Sequence, residues 1–384
     1  MPDSGTDSEA RGRLTVERIT DFNDLLPYRE TWNQLAANTS QAQFFQTYDW
    51  FATYWKHYGD SQRLHVLIIR QADRVIGIVP LVIRVEQRKV GRIRVLTFPL
   101  DDWGSFYGPI TADPLGATCA AVDYIARQPK PWDVLSWRWL APDGAACSAV
   151  SHAMAQAKLK TFTAVRETTG LIDLPNNWDA YLASCTSKFR NNLRRWERRV
   201  QELGTLRFEK FRPTANAHSP CDPRWDLYDI CVQLASKSWQ GSSTDGTTLS
   251  HEKVHSFLRE MHSTAVALGA ADLNLMYLND QPVAFEYGYW WRGYKYSLRF
   301  GYDGEFSPSG LGNLMWLQTI KSCVEAGDHT FDMGPGSLEY KRFYTNRLCE
   351  CRTLDHFRRF APKAQAIALR HVISQWFSTR TSTN

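Results

Sequence analysis

The stretch Val283-Ala-Phe-Glu-Tyr-Gly-Tyr-Trp-Trp291, Tyr294-Lys-Tyr-Ser-Leu-Arg-Phe-Gly-Tyr302, Phe306-Ser-Pro-Ser-Gly-Leu-Gly312 decides how this chain is read. Its first two runs are rich in aromatic residues and meet at Arg292-Gly293, which predicts two antiparallel strands joined by a tight turn. The Ser/Pro/Gly loop then opens a helix over residues 313–326. A short strand ending in Phe331-Asp-Met-Gly-Pro-Gly336 follows, and then Leu338-Glu-Tyr-Lys341. A strand feeding a glycine-bearing loop at a helix N-terminus is an anion site, because N–H groups and the positive end of the helix dipole converge there. The backbone of Ser309, Gly310, Leu311, Gly312 and Asn313 is therefore expected to hold a phosphate-bearing cofactor, with glycine where the chain must come close to phosphate. The alternative is an ordinary first turn of a core helix.

Outward from that stretch, residues 273–278 supply one more strand, joined through Asn279-Asp280. Helices are expected over 225–239 and 252–268. Pro175-Asn-Asn introduces a helical region running to Leu203, closed by Gly204. Within it Phe189, Leu193, Trp196, Val200 and Leu203 form one apolar stripe at helical spacing. The other faces carry Lys188, Arg190, Arg194, Arg195, Arg198 and Arg199 against the single acid Glu197. Residues 22–165 read as a similar unit: helices over 22–37 and 44–58, strands over 64–70, 75–85 and 91–98, then helix, strand and helix over 117–127, 132–140 and 145–158. The chain thus reads as a duplicated, two-unit α/β protein. The first unit has Ala112-Asp-Pro-Leu-Gly116 where the second has its glycine loop, so the anion site is placed in the second.

Length and composition agree with two cored units: 384 residues, 43% hydrophobic and 22% charged. No apolar run is long enough to span a bilayer. Residues 1–13 are expected to be a disordered tail, without an apolar signal region. Eight scattered cysteines read as reduced thiols of a cytoplasmic protein. Cys349-x-Cys351 lacks the second pair a zinc site needs, and the histidines show no metal-binding spacing, so no metal is expected. Neither a P-loop nor a Gly-x-Ser-x-Gly elbow is present.

The order of meander, glycine loop, helix and strand resembles the GNAT acyltransferase fold, and its twin-domain FemAB/CelD-type branch in particular. The residues that carry the likeness are the Arg-rich segment 182–199, Lys237-Ser-Trp239, Pro282-Val-Ala284, Gly301-Tyr-Asp303, Phe306-Ser-Pro-Ser-Gly310, Glu325-Ala-Gly327, Phe331-Asp332 and Tyr340-Lys341. The resemblance implies an α/β (α+β) chain of two tandem GNAT-like domains with mixed, mostly antiparallel sheets flanked by helices. The first domain, 14–165, would be without cofactor, and the second, 166–384, would hold acetyl-CoA or another acyl-CoA. It implies direct acyl transfer to an amine, or to a hydroxyl, of a small molecule, sugar or peptide acceptor. Two other readings stand beside it: an aminoacyl-tRNA-dependent peptidyl transferase, and a non-catalytic scaffold in polysaccharide synthesis. The region 178–204 is too short for the coiled-coil arm of tRNA-dependent members, which favours a CoA donor. Nucleic acid is not expected as a partner, because no aromatic-interleaved RNA module accompanies the basic helix.

Several side chains are candidates for the chemistry. Glu286, the one carboxylate in its strand, is a base if it faces the cleft and an ion-pair partner of Arg292, Lys295 or Arg299 if it does not. Asp332 ends a strand and either binds or deprotonates the acceptor, or shapes the turn after it. Tyr340 is a general acid for the thiolate or a packing residue. Lys341 is an anion contact or a solvated lysine. Asp303 shapes a turn or touches substrate, and Trp239 joins the substrate side through the resemblance. The basic face 188–199 is expected to meet an anionic partner, such as the 3′-phosphate of CoA, an acyl carrier protein or a phospholipid surface, or else to be a plain solvated face.

Overall fold

The structure is a computed structural model and describes residues 14–214, 221–243, 246–345 and 347–381, excluding the side chains of 307–309 and 374–381. The expected tail, 1–13, lies outside the described residues. The first unit comprises β1 (Leu14–Ile19), α1 (Arg29–Asn38), α2 (Tyr48–Tyr58), β2 (Gln62–Gln71), β3 (Arg74–Arg88), β4 (Gly91–Thr97), β5 (Ile110–Thr111), α3 (Pro114–Arg127), β6 (Val134–Leu140), α4 (Ala145–Gln156) and β7 (Phe162–Asp173). The second comprises α5 (Trp178–Ser184), α6 (Ser187–Gln201), β8 (Leu206–Phe211), α7 (Trp225–Lys237), α8 (Glu252–Ala267), β9 (Ala271–Leu278), β10 (Gln281–Trp291), β11 (Tyr294–Tyr302), α9 (Leu311–Glu325), β12 (Thr330–Pro335), α10 (Leu338–Lys341), β13 (Arg347–Phe357) and α11 (Pro362–Thr381).

The same plan appears twice. An antiparallel meander (β2-β3-β4, then β9-β10-β11) is followed by a helix and a strand parallel to the last meander strand. The hairpin turns take the conformation their residues suggest. Asn279 and Asp280 have φ of 50° and 64°, Arg292 and Gly293 have 48° and 83°, and paired positive φ matches the right-handed twist of the flanking strands.

The two units do not own separate sheets. The continuous order is β1-β2-β3-β4-β6-β13-β7-β12-β11-β10-β9-β8. β7 closes the first unit in sequence yet pairs with β12 of the second, while β13 closes the second and pairs with β6 of the first. β7 and β13 pair with each other along their length. Each unit therefore lends its last strand to the other, and the boundary expected at residue 165 falls inside β7. The strand β1 was not expected at all. Its alternation is short and half-exposed, so its place is fixed by pairing with β2 rather than by its own pattern.

The helical region expected over 178–203 is two helices. Thr186 breaks it with extended backbone (ψ 155°) and caps α6 by accepting from the Phe189 N–H at 3.2 Å. The stripe Phe189, Leu193 and Val200 is buried against α9, and Lys188, Arg194, Arg195, Arg198 and Arg199 are exposed. Arg190 is the exception, donating to the carbonyls of Leu182 (3.0 Å) and Cys185 at the end of α5.

Candidate functional site

β11 and β12 run parallel for only three residue pairs, Tyr294–Thr330 to Tyr296–Asp332, and then separate. The separation is built into the backbone. Gly334 has φ +70°, and a Cβ there would sit 2.8 Å from the Ser297 carbonyl oxygen. Only glycine lets the strands approach so closely before they part. Beyond Tyr296 the edge of β11 that faces β12 has no strand partner among the described residues; the Phe300 carbonyl accepts from Gln240 Nε2 at 3.1 Å, and Ser297 to Phe300 line the space left between the strands.

The gap widens into a cleft of about 750 Å³. One wall is β11 from Tyr296 to Phe300, and another is Gly310, Gly312, Asn313 and Trp316 of α9 and the turn before it. Gly334 to Ser337 and Tyr340 form the third, Trp239 stands at the mouth, and Asp102 and Glu167 come across from the first unit.

α9 begins at Gly310, which is left-handed (φ +88°) and offers no side-chain cap. A Cβ at Gly310 would lie 2.3 Å from the Trp196 ring, so the apolar stripe of α6 seals the turn from outside. A Cβ at Gly312 would meet the Tyr302 ring at 2.8 Å. The uncapped N-terminus of a 15-residue helix, lined by two glycines at a cleft, is the geometry an anion requires. Leu311 turns its side chain into the core. The Asn313 N–H is directed to the Gly310 carbonyl at 3.0 Å, and its side chain accepts from the Tyr344 hydroxyl at 2.7 Å. The Ser309 side chain lies outside the described residues.

Three sequence candidates lie elsewhere. Glu286 is fully buried and outside the cleft: its Oε2 sits 2.9 Å from Lys295 Nζ and accepts from Asn274 Nδ2 at 2.9 Å. Burial pushes its carboxyl up despite Lys295. The neighbouring Asp272, held by Lys295 and Arg212 against the same burial, is pushed down. A base needs reach, and Glu286 has none. Asp303 caps the turn Gly304–Ser309, accepting from the Glu305 N–H at 3.1 Å. Asp332 is also fully buried, below the cleft floor. It accepts from the Gly334 N–H at 2.9 Å and the Tyr294 hydroxyl at 2.8 Å, and its Oδ1 lies 2.5 Å from Thr169 Oγ1.

Thr169 holds the key to that cluster. Its hydroxyl also reaches the Gly334 carbonyl at 2.7 Å, yet it has one hydrogen for two acceptors. That hydrogen is shared between the Asp332 carboxyl and the Gly334 carbonyl. Burial pushes the Asp332 carboxyl up, against the hydrogen bonds it accepts from Thr169, Tyr294 and the Gly334 N–H. Asp332 thus braces the Gly334 peptide. Lys341, fully buried, donates to the same Gly334 carbonyl. Burial lowers its ammonium to about 8. Tyr340 lines the cleft beside Trp316, and burial raises its hydroxyl to about 12.

Sequence reasoning missed Thr169, Asp102 and Glu167. They sit in β7 and in the loop after β4, and only the strand exchange brings them to β12. Among the described residues no cluster of three His, Cys, Asp or Glu is placed to hold a metal, and no helix is long and apolar enough to cross a membrane.

Residues 187–342 match the family described as acetyltransferase (GNAT) domain, a span covering α6, the meander, α9 and most of the cleft lining. That span of the chain is similar to a GNAT domain. Solved structures extend the likeness to the whole fold. FemX is 12% identical over 89% of this chain and 97% of its own, with a TM-score of 0.60. The C-terminal domain of a putative lysylphosphatidylglycerol synthetase from Agrobacterium fabrum is 13% identical over 89% and 94%, with a TM-score of 0.53. A conserved protein of unknown function from Bacteroides thetaiotaomicron is 9% identical over 90% and 100%, also at 0.53. No curated protein matches the chain in sequence. The fold over nearly the whole chain is shared with FemX and the synthetase domain, and the matched span 187–342 lies within the second unit.

Proposed function

We propose that this protein transfers an acetyl or longer acyl group from acyl-CoA to an amine by direct attack, in the cytoplasm. The observation that carries the reading is the junction of three features in one cleft: the glycine turn at Gly310 without a side-chain cap, the edge of β11 without a strand partner, and Tyr340 on a neighbouring wall. Acyl-CoA supplies an activated thioester carbonyl.

The turn at Gly310 and Gly312 holds the pyrophosphate, and the exposed cations of α6 beside Trp196 draw anionic donors towards it. The open edge of β11 beyond Tyr296 pairs with the amides of the pantetheine arm and sets the thioester in the gap. Asp102 and Glu167 give the opposite wall negative character, which suits an amine that arrives as ammonium. Asp102 is also bound by Arg166 at 2.9 Å. The acceptor must lose a proton to attack. Glu167, an exposed carboxylate on the cleft wall, takes that proton. The nitrogen bonds to the acyl carbon and sheds its second proton to water in the cleft, the C–S bond breaks, and Tyr340, still protonated at neutral pH, gives the leaving sulfur a proton and regains one from water. Trp239, 58% exposed, flanks the acceptor entrance.

Calorimetric titration with acetyl-CoA tests the donor. Saturable binding to the wild type, weakened in Gly312→Trp, is the expected result; heats indistinguishable from dilution would remove the proposal.

A further inference from the structure

The C-terminal helix α11 is turned inside out. It sets its small residues Ala364 and Ala368 on the sheet, buried against Ile93, Val95, Val134 and Phe357. Its large apolar residues face outward: Leu369 is 61% exposed, Val372 44% and Ile373 47%, and Phe360 just before the helix is 80% exposed. Residues 369, 372 and 373 lie on one helical face, and Trp376 follows at the same spacing in the sequence.

Beside this face a second cavity of about 440 Å³ opens between α11 and β4–β6, well apart in the fold from the cleft on β11 and β12. Its floor is apolar, from Ile93, Val95, Phe357 and Ile367, and cations stand around it. Arg88 and Arg138 are engaged by Glu86, at 2.5 Å and 2.7 Å. Lys89 and Arg370 have no ion pair among the described residues. The one acid in the wall, Asp355, is hydrogen-bonded to Ser136 at 2.5 Å, and burial disfavours its charge. After Asp355 the chain has no Asp or Glu, but five basic residues: Arg358, Arg359, Lys363, Arg370 and Arg380.

We infer that α11 and the cavity beside it form a docking site for an anionic phospholipid surface. Leu369, Val372, Ile373 and Phe360 enter the acyl boundary, Lys89, Lys363 and Arg370 meet the headgroups, and the apolar floor takes part of one lipid chain. Charge complementarity selects this occupant. A second copy of the chain would set two unrelieved basic rows against each other. The inference stands independently of the acyl-transfer reading.

The test is co-sedimentation of the full chain with vesicles of phosphatidylcholine alone or mixed with phosphatidylglycerol. The expected result is binding to the mixed vesicles only, falling as salt rises. Lys89→Gln with Arg370→Gln should weaken it roughly tenfold or more. Leu369→Gln with Ile373→Gln should weaken it comparably without lowering Tm, since both side chains are exposed. Equal binding to both vesicle types, no binding, or variants that bind like the wild type would each overturn the inference. So would a dimer, seen by light scattering, that the Leu369/Ile373 variant dissolves.

Discussion

At the scale of the residue, few hydrogens are available around Gly334. Thr169 has one, shared between Asp332 and the Gly334 carbonyl, and Lys341 completes the hold on that carbonyl. Thr169→Val keeps the shape and removes the hydroxyl, leaving buried polar atoms short of a partner. It is expected to cost about 1–3 kcal/mol in urea unfolding and to loosen the gap where the strands part. The Lys341 proton has a matching signature. Its folded affinity, about 8, lies below the ordinary lysine value of 10.5. The unfolded chain holds this proton up to its ordinary value, so the lysine's burden on the fold is relieved as pH climbs from about 8 to 10.5, and urea unfolding of the wild type should show a gain across that window that Lys341→Met lacks. Little of this was legible in sequence. Asp332, Tyr340 and Lys341 stood out as chemically able residues in order, but their burial, and the sharing of Gly334 with Thr169 some 160 positions earlier, are properties of strand pairing.

At the scale of the element, α9 and α6 act together. Gly310 needs its left-handed φ, and it needs no Cβ because Trp196 of α6 occupies that space at 2.3 Å. Gly310→Ala should destabilise the protein by about 1–2 kcal/mol from the backbone term alone, and more if Trp196 is displaced. Donor affinity should fall along with stability. The hairpins, the glycine turn and the apolar stripe of α6 could all be read from local signals, because each depends on a period or on turn residues within a few positions. The break at Thr186 could have been read too: a Thr that caps the following turn stood in plain view inside an otherwise helical pattern. For Glu286 the sequence left open a base in the cleft or an ion-pair partner of Arg292, Lys295 or Arg299, because alternation assigns a face without saying what covers it. In the fold that face holds Lys295 and Asp272 under α9.

At the scale of the whole molecule, strand exchange makes the two units one folding problem. A fragment ending at residue 165 lacks most of β7 and all of β13, leaving β6 as an exposed, wholly buried-type strand. Such a fragment should be insoluble or lack dispersed amide resonances, while the full chain unfolds in one transition. The duplication was visible in the sequence as a repeated order of elements. The exchange was not, because either pairing of the last strands satisfies the same local patterns. It is also what delivers Asp102 and Glu167 to a cleft otherwise built by the second unit. The central claim is that this cleft takes the donor with its phosphates on the glycine turn and its thioester between β11 and β12. A crystal structure of the protein with acetyl-CoA tests it most directly. The expected result is pyrophosphate oxygens on the N–H groups of Gly310 and Gly312 and the thioester beside Tyr340; acetyl-CoA bound elsewhere, with that turn empty, would contradict it.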